Sequence, residues 1–147
     1  MNHMPNILIV DDEEVVRRSF SRVLDGAQCR TESAVDGEEA LRALARERFD
    51  VVLLDQRMPG TDGMTVLKTI KARWPESEVV MITGYPNVET AKEAVRCGAF
   101  DYLAKPVAPD TVIHAARSAV LRKRWALRPV ANDETRASAT QTRNRAC

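Results

Sequence analysis

In the stretch ILIVDDEE, residues 7–14, four apolar residues run straight into four acidic ones. A short, unbroken run of mostly β-branched residues is typical of a strand that is buried on both faces of a parallel sheet. Carboxylates about 4 Å apart near a protein surface repel one another by roughly 4 kcal/mol. The acids that follow this predicted strand therefore require a cation or a separate structural use.

Four more segments are predicted to form strands. VVLL at 51–54 and VVMI at 79–82 have the same apolar character, and FDYLA at 100–104 is a looser version of it. CRTES at 29–33 is polar enough to be an edge strand. The pattern thus predicts five strands.

Segments with helical signals separate the predicted strands. Asp36 with Glu39 three residues later resembles a capping box, and Asn87 is a favoured residue immediately before a helix. Alternating strands and helices predict right-handed crossovers and a three-layer α/β sandwich. The predicted helices are 13–24, 37–47, 63–73, 88–97 and a fifth that begins at Pro109 and that Pro129 must end.

The composition fits one compact domain. The 147 residues are 44% hydrophobic and 29% charged, which is enough for one core. The start resembles no secretion signal and no apolar run approaches a membrane span, so we expect a cytoplasmic protein without membrane contact. We place the domain at 5–125 and expect 126–147 to be a basic, disordered tail or the start of a linker.

Charge is distributed unevenly along the chain. From residue 122 onward, seven basic and two acidic residues give a balance of +5, so residues 1–121 carry −4 of the chain's net +1. The basic run has no helix-turn-helix pattern, zinc motif or aromatic platform beside it. We therefore do not expect direct binding of nucleic acid.

Polar side chains follow several of the predicted strands. Asp11 and Asp12 follow the first, Asp55 the third, Thr83 ends the fourth and Lys105 follows the fifth. Each alone has an ordinary explanation, such as a helix cap, a turn residue or a solvated lysine. Ligands of open parallel sheets, however, bind at the carboxyl ends of the strands, where these residues are expected to meet.

Three converging carboxylates suit Mg²⁺, which prefers oxygen ligands and often binds phosphate oxygens as well. A carboxylate can itself attack phosphorus when a metal and a lysine neutralise the charge on the transferred group. Asp55 lies on the central strand end and is the natural nucleophile. The pattern therefore predicts a phosphate site.

The motifs VDDEE at 10–14, LLDQRMPGTDG at 53–63, ITGY at 82–85 and YLAKP at 102–106 resemble the receiver domain of bacterial two-component response regulators. The segments DQRMPG and ITGYPNVETAKEA are most similar to those in receivers of enhancer-binding transcription activators. The resemblance covers roughly residues 5–125. It implies a flavodoxin-like (βα)5 fold with a parallel sheet in the order 2-1-3-4-5.

The resemblance also implies roles for the acidic residues. Asp55 would accept a phosphoryl group from a sensor histidine kinase. Asp12 would bind Mg²⁺ directly, Asp11 through water, and the backbone carbonyl of Arg57 would complete the protein's share of the coordination. Glu13 and Glu14 are instead assigned to the first helical turn, where the helix dipole favours them.

Further roles concern the switch. Lys105 would contact the phosphoryl group, with a cis peptide to Pro106, and Thr83 would hydrogen-bond to it. As Thr83 moves inward, Tyr102 would turn from exposed to buried and change the face built from helix four, strand five and helix five. That face is a candidate homodimer contact, and the output domain or downstream protein lies outside this chain. The domain itself would be no enzyme beyond accepting and losing its own phosphoryl group.

Three other classes stay open at this point. A Mg²⁺-dependent phosphohydrolase of the haloacid dehalogenase kind also uses an aspartyl nucleophile, but it needs a second aspartate where this chain has Arg57. A nucleotide or flavin binder would have a Gly- or Ser/Thr-rich loop after the first strand, where DDEE stands. A pseudo-receiver would bind partners without phosphorylation.

Overall fold

The computed structural model describes residues 4–126, and their centre is a five-stranded parallel sheet. We number its strands β1 to β5 in chain order. The spatial order is β2-β1-β3-β4-β5, with every neighbouring pair parallel. This confirms the predicted α/β class and strand order. The strands are β1 Asn6–Val10, β2 Arg30–Ala34, β3 Val51–Asp55, β4 Glu78–Thr83 and β5 Asp101–Ala104.

Five helices cover the two faces of the sheet. They are α1 Glu14–Gly26, α2 Gly37–Arg46, α3 Gly63–Arg73, α4 Val88–Arg96 and α5 Pro109–Ala126. Alternate residues of β1 enter different cores, since Leu8 packs with α2, α3 and α4 while Ile7 packs with α1 and α5. The molecule therefore has the predicted three layers.

The predicted caps position two of these helices. The Asp36 carboxylate accepts a hydrogen bond from the Glu39 backbone N–H at 2.9 Å, and the Asn87 side chain accepts one from the Thr90 N–H at 2.9 Å. The Glu39 carboxylate reaches back to the N–H of Val35 rather than to that of Asp36. Caps of this kind use local contacts, which explains why the sequence predicts them closely.

Two features differ from the expectations. The residues of β5 are only partly buried, because β5 lies at an edge of the sheet, whereas β3 is buried along its whole length. Arg57–Met58 and Thr61–Asp62 also form a small antiparallel ribbon that was not predicted. Gly60 turns the ribbon with a φ of 69°, a conformation that suits glycine.

The described residues 4–126 include no helix with the length and apolar character needed to cross a lipid bilayer. The predicted tail at 126–147 lies, apart from the last residue of α5, outside the described residues.

Candidate functional site

The carboxyl edge of the sheet brings together the three predicted aspartates. Asp11 directly follows β1, and Asp55 is the last residue of β3. Asp11 and Asp55 are 2% and 5% exposed, while Asp12 is exposed. Each of the three offers one carboxylate oxygen, and these oxygens all lie within 4.8 Å of one another.

Lys105, which follows β5, extends into this acidic cluster. Its Nζ lies 2.9 Å from Asp11 Oδ2, 3.4 Å from Asp55 Oδ2 and 3.7 Å from Glu13 Oε1. The Lys105–Pro106 peptide is cis, as the resemblance implied. One ammonium group therefore bridges the ends of β1 and β3.

Burial and repulsion govern the ionisation of Asp55. Burial raises its pKa, the neighbouring Asp11 carboxylate raises it further, and Lys105 opposes both effects, which leaves the pKa at about 6. Burial works against the positive charge of Lys105, but the hydrogen bond that Lys105 donates to Asp11 and the charge of Asp55 outweigh it, so the pKa of Lys105 is raised. At pH 7 Asp55 is thus mostly ionised, poorly solvated and paired with an ammonium group.

Thr83 lies at the end of β4 and is 1% exposed. Its Oγ1 accepts a hydrogen bond from the N–H of Tyr85 at 3.0 Å, and its carbonyl accepts one from the N–H of Lys105 at 2.8 Å. The hydroxyl thus orders the loop that leads into α4. A change in the position of Thr83 would move that loop.

Tyr102 on β5 is partly buried against the core rather than exposed. Its hydroxyl lies 2.7 Å from Thr90 Oγ1 and donates to Gln56 Oε1 at 3.2 Å. The expected exposed starting position is therefore not found, because two polar partners hold the hydroxyl inward. Neither Gln56 nor Thr90 was predicted to belong to the site, since partners 46 and 12 residues away leave no local pattern.

The loop after Asp55 is held closely by the backbone. The Arg57 N–H lies 3.4 Å from Asp55 Oδ1, and the Gly63 N–H donates to the Gln56 carbonyl at 2.9 Å. A Cβ on Gly63 would lie 2.6 Å from Gln56 Cα and 2.7 Å from the Asp55 carbonyl oxygen. Glycine at 63 therefore lets α3 begin directly against the acidic cluster.

Arg57 and Glu13 take positions that the sequence did not predict. The Arg57 side chain is exposed, and its guanidinium stacks over the Tyr85 ring at 4.8 Å from the ring centroid. Glu13 is the residue before α1 and lies near Lys105. The N–H of Glu13 donates to Asp11 Oδ1 at 2.9 Å, so Asp11 also supports the start of a helix.

The donor set suits a hard divalent cation. Three carboxylate oxygens in one cluster match the ligands that Mg²⁺ prefers, and two of the three carboxylates are nearly removed from water. Burial and the neighbouring Asp11 carboxylate both raise the pKa of Asp55, and such an ion would stabilise its ionised form. Asp11, Asp12 and Asp55 are therefore the residues that would hold it.

Comparison with known proteins gives a consistent result. A family model described as the response regulator receiver domain matches residues 7–117. Regulatory protein AtoC of Escherichia coli K12 is 45% identical over 106 residues, which are 72% of this chain and 23% of that protein. The DNA-binding transcriptional regulator NtrC of the same strain is 39% identical over 114 residues, 78% of this chain and 24% of NtrC. The chain spans about a quarter of the length of these relatives.

Solved structures agree with the sequence matches. The receiver domain of NtrX from Brucella abortus is 38% identical, with a TM-score of 0.74 over 78% of this chain and 98% of that one. A response regulator receiver domain protein from Clostridium thermocellum is 31% identical, with a TM-score of 0.80 over 84% of this chain and all of that one. The chain belongs to the response regulator receiver family, the phosphorylation-dependent switch domains of two-component signalling, and is similar to the corresponding parts of AtoC and NtrC.

Proposed function

We propose that Asp55 accepts a phosphoryl group from a phosphohistidine of a sensor histidine kinase. The observation that carries this proposal is the contact of one ammonium group, Lys105 Nζ, with both Asp11 and Asp55 beside a cluster of three carboxylates. An anionic nucleophile can approach an anionic phosphoryl group only where positive charge is provided. Lys105 supplies part of that charge.

The chemistry is a simple transfer. An Asp55 carboxylate oxygen forms a bond to phosphorus while the bond from phosphorus to the histidine nitrogen breaks, and the leaving imidazole takes up a proton from solvent. Bound Mg²⁺ would supply charge neutralisation for the transferred group. A pKa of about 6 keeps Asp55 ionised at pH 7, and burial limits the water that competes for its oxygen atoms.

The remaining site residues have two roles: some would bind the metal ion, and Thr83 would contact the phosphoryl group. In our proposal Asp11, Asp12 and Asp55 would hold Mg²⁺, Asp12 directly and Asp11, which already pairs with Lys105, through water. The Arg57 carbonyl completes the protein's ligands. Thr83 turns its hydroxyl from the Tyr85 N–H towards the phosphoryl oxygen atoms, which moves the loop into α4.

We propose that this movement alters the face formed by α4, β5 and α5. Tyr102 lies on β5 and contacts Thr90 of α4, so a shift at the start of α4 reaches the surface through it. This face is also our candidate for a homodimer contact. The domain would act as a switch and not as an enzyme with turnover on other substrates.

The rest of the signalling path is inferred from the relatives. NtrC is named as a DNA-binding transcriptional regulator, and this chain covers about a quarter of it. We propose that the receiver, at 5–125, controls transcription in the cytoplasm through an output domain or protein outside this chain. Direct DNA contact by the receiver is not part of this proposal.

The test is to incubate the protein with Mg²⁺ and acetyl phosphate and to measure its intact mass. We expect one acid-labile phosphoryl group, absent in Asp55→Asn and absent without metal. Asp110→Asn, on the first turn of α5, is the matched control and should be modified like the wild type. Catalytic release of phosphate from many esters would instead indicate a hydrolase, and no modification at all would indicate a pseudo-receiver.

A further inference from the structure

A chain of three side chains joins the residue after Asp55 to helix α4. We call Gln56, Tyr102 and Thr90 the tie. The Tyr102 hydroxyl lies between the other two, 3.2 Å from Gln56 Oε1 and 2.7 Å from Thr90 Oγ1. The tie thus spans the end of β3, the middle of β5 and the first turn of α4.

The protons of the tie have a defined direction. The amide oxygen of Gln56 only accepts, so the Tyr102 hydroxyl donates its single proton to it. The Tyr102 oxygen then accepts from the Thr90 hydroxyl at 2.7 Å, and the Asn87 carbonyl is a second, longer acceptor for the same proton at 3.3 Å. Removal of the Tyr102 hydroxyl therefore breaks the link between Gln56 and Thr90, and Thr90 is left with the Asn87 carbonyl as its acceptor.

Both ends of the tie are anchored in the backbone. The Gln56 N–H donates to the Ile82 carbonyl at 2.8 Å, and the Gln56 carbonyl accepts from Gly63. Thr90 donates its N–H to the capping side chain of Asn87. The tie consequently connects two well-defined elements and does not pass through Thr83.

Helix α4 buries few of its own side chains. Ala94 is its one buried residue, while Val88 and Val95 are 69% and 61% exposed. Its ion pair from Glu93 to Lys68 is long, 3.7 Å, and exposed, and such pairs stabilise little. The partly buried hydrogen bond from Thr90 to Tyr102 is therefore well placed to locate the first turn of this helix.

We propose that Gln56 and Thr90 are positioning residues that hold Tyr102 inward and so tie the first turn of α4 to the end of β3. Helix α4 is then connected to the phosphoacceptor strand in two ways: through Thr83 and its loop, and through the tie. The existence of the tie stands on its own geometry. Its role in signalling rests on the proposed function.

The first test uses unmodified protein and NMR-detected amide exchange. Thr90→Val keeps the shape and removes the hydroxyl, and Tyr102→Phe removes the central hydroxyl. In each, the amides of Ala91 and Lys92 should exchange roughly 2- to 10-fold faster, the effect of one lost hydrogen bond. Amides of β1 and β3 should not change, and Thr90→Ser, which keeps the hydroxyl, should exchange like the wild type.

A double variant separates the tie from independent effects. If the tie exists, the combined effect of Thr90→Val and Tyr102→Phe on exchange is smaller than the sum of the two single effects; Thr90→Val still adds the loss of its contact with the Asn87 carbonyl. Full additivity, unchanged exchange in both single variants, or equal acceleration in Thr90→Ser and Thr90→Val would each overturn the proposal. Gln56→Met repeats the exchange test at the other end of the tie, because it removes the amide oxygen that accepts from Tyr102.

The second test adds Mg²⁺ and acetyl phosphate. Thr90→Val should gain the phosphoryl mass like the wild type, but the chemical-shift changes of the α4 amides should be smaller. Equal α4 changes in both proteins would overturn the signalling role. A wild type that gains no phosphoryl mass would refute the proposed function and leave the exchange result intact.

Discussion

Buried carboxylates have opposite charge surroundings at the two ends of the strands, which we call the amino edge and the carboxyl edge of the sheet. At the amino edge, Glu78 is 9% exposed, with Lys71 Nζ 3.8 Å from one oxygen and Arg122 Nε 3.7 Å from the other. At the carboxyl edge the ammonium of Lys105 faces Asp11, Asp55 and Glu13 together. At the first edge the cations at least match the carboxylate, whereas at the second three carboxylates face one cation.

The difference indicates which edge is structural and which is functional. A matched buried charge is already satisfied and gains little from a ligand. A surplus of carboxylates costs folding free energy, and an added cation relieves that cost. The opposite ends of the same strands can therefore be distinguished by charge balance alone.

The largest expected effect concerns the cations of the two edges. Lys105→Met should slow phosphoryl uptake from acetyl phosphate by roughly 10²-fold or more, the usual cost of losing one group that stabilises transition-state charge. Arg122→Met removes a cation at the amino edge and should leave the rate unchanged. Time courses of intact mass measure both. Similar rates for the two variants would show that charge at the carboxyl edge has no special use.

The second largest effect is expected from the loss of one metal ligand. Asp12 is exposed, so Asp12→Asn should fold normally and lower Mg²⁺ affinity by at least about 10-fold, since even outer-shell partners of metal ligands are worth about that much. Titration calorimetry measures the affinity. Glu78→Gln is the control, because it removes a carboxylate at the amino edge. A loss of Mg²⁺ affinity in Glu78→Gln would contradict the view that only the carboxyl edge binds the metal.

The excess of carboxylates at the carboxyl edge should also lower the free energy of unfolding. The folded protein raises the pKa of Asp55 from 3.8 to about 6, so Asp55 favours folding below its unfolded pKa and loses that contribution as pH rises through about 6. In EDTA at pH 7 to 8, Asp55→Asn should raise the free energy of unfolding by roughly 1–3 kcal/mol. Urea unfolding measures it. The gain should shrink as pH falls from 6 towards 4, and a gain that does not depend on pH would have another cause.

The smallest effect is expected from Glu78→Gln. It leaves Lys71 and Arg122 facing a neutral amide, which should lower the free energy of unfolding by about 1 kcal/mol, because both pairs are longer than hydrogen bonds. Phosphoryl uptake should not change. A stabilised Glu78→Gln protein would show that the amino edge is not matched in charge.

Much of the fold could be predicted because its signals are local. The apolar runs at β1, β3 and β4 and the caps at Asp36 and Asn87 depend on neighbours within a few residues. The partial burial of β5 and the ribbon at 57–62 were missed, because an edge position and a short antiparallel pairing depend on the surrounding structure.

The candidate site could be predicted in part for a topological reason. Strand ends in a parallel sheet share one edge, so Asp11, Asp55, Thr83 and Lys105 could be placed together before any distance was known. The inward position of Tyr102, the approach of Glu13 to Lys105 and the tie through Gln56 were not predicted. Each depends on where side chains from separate segments end.

By itself the sequence determined the α/β alternation, the acidic strand ends and the family, because hydrophobic periodicity and motif spacing lie along the chain. Only the tertiary structure decided that Lys105 bridges Asp11 and Asp55, that Asp55 is desolvated enough for its pKa to rise, and that Tyr102 is held by Gln56 and Thr90. The physical reason is that charge coupling and hydrogen bonds act over a few ångströms, and such distances between remote segments exist only after the layers have packed.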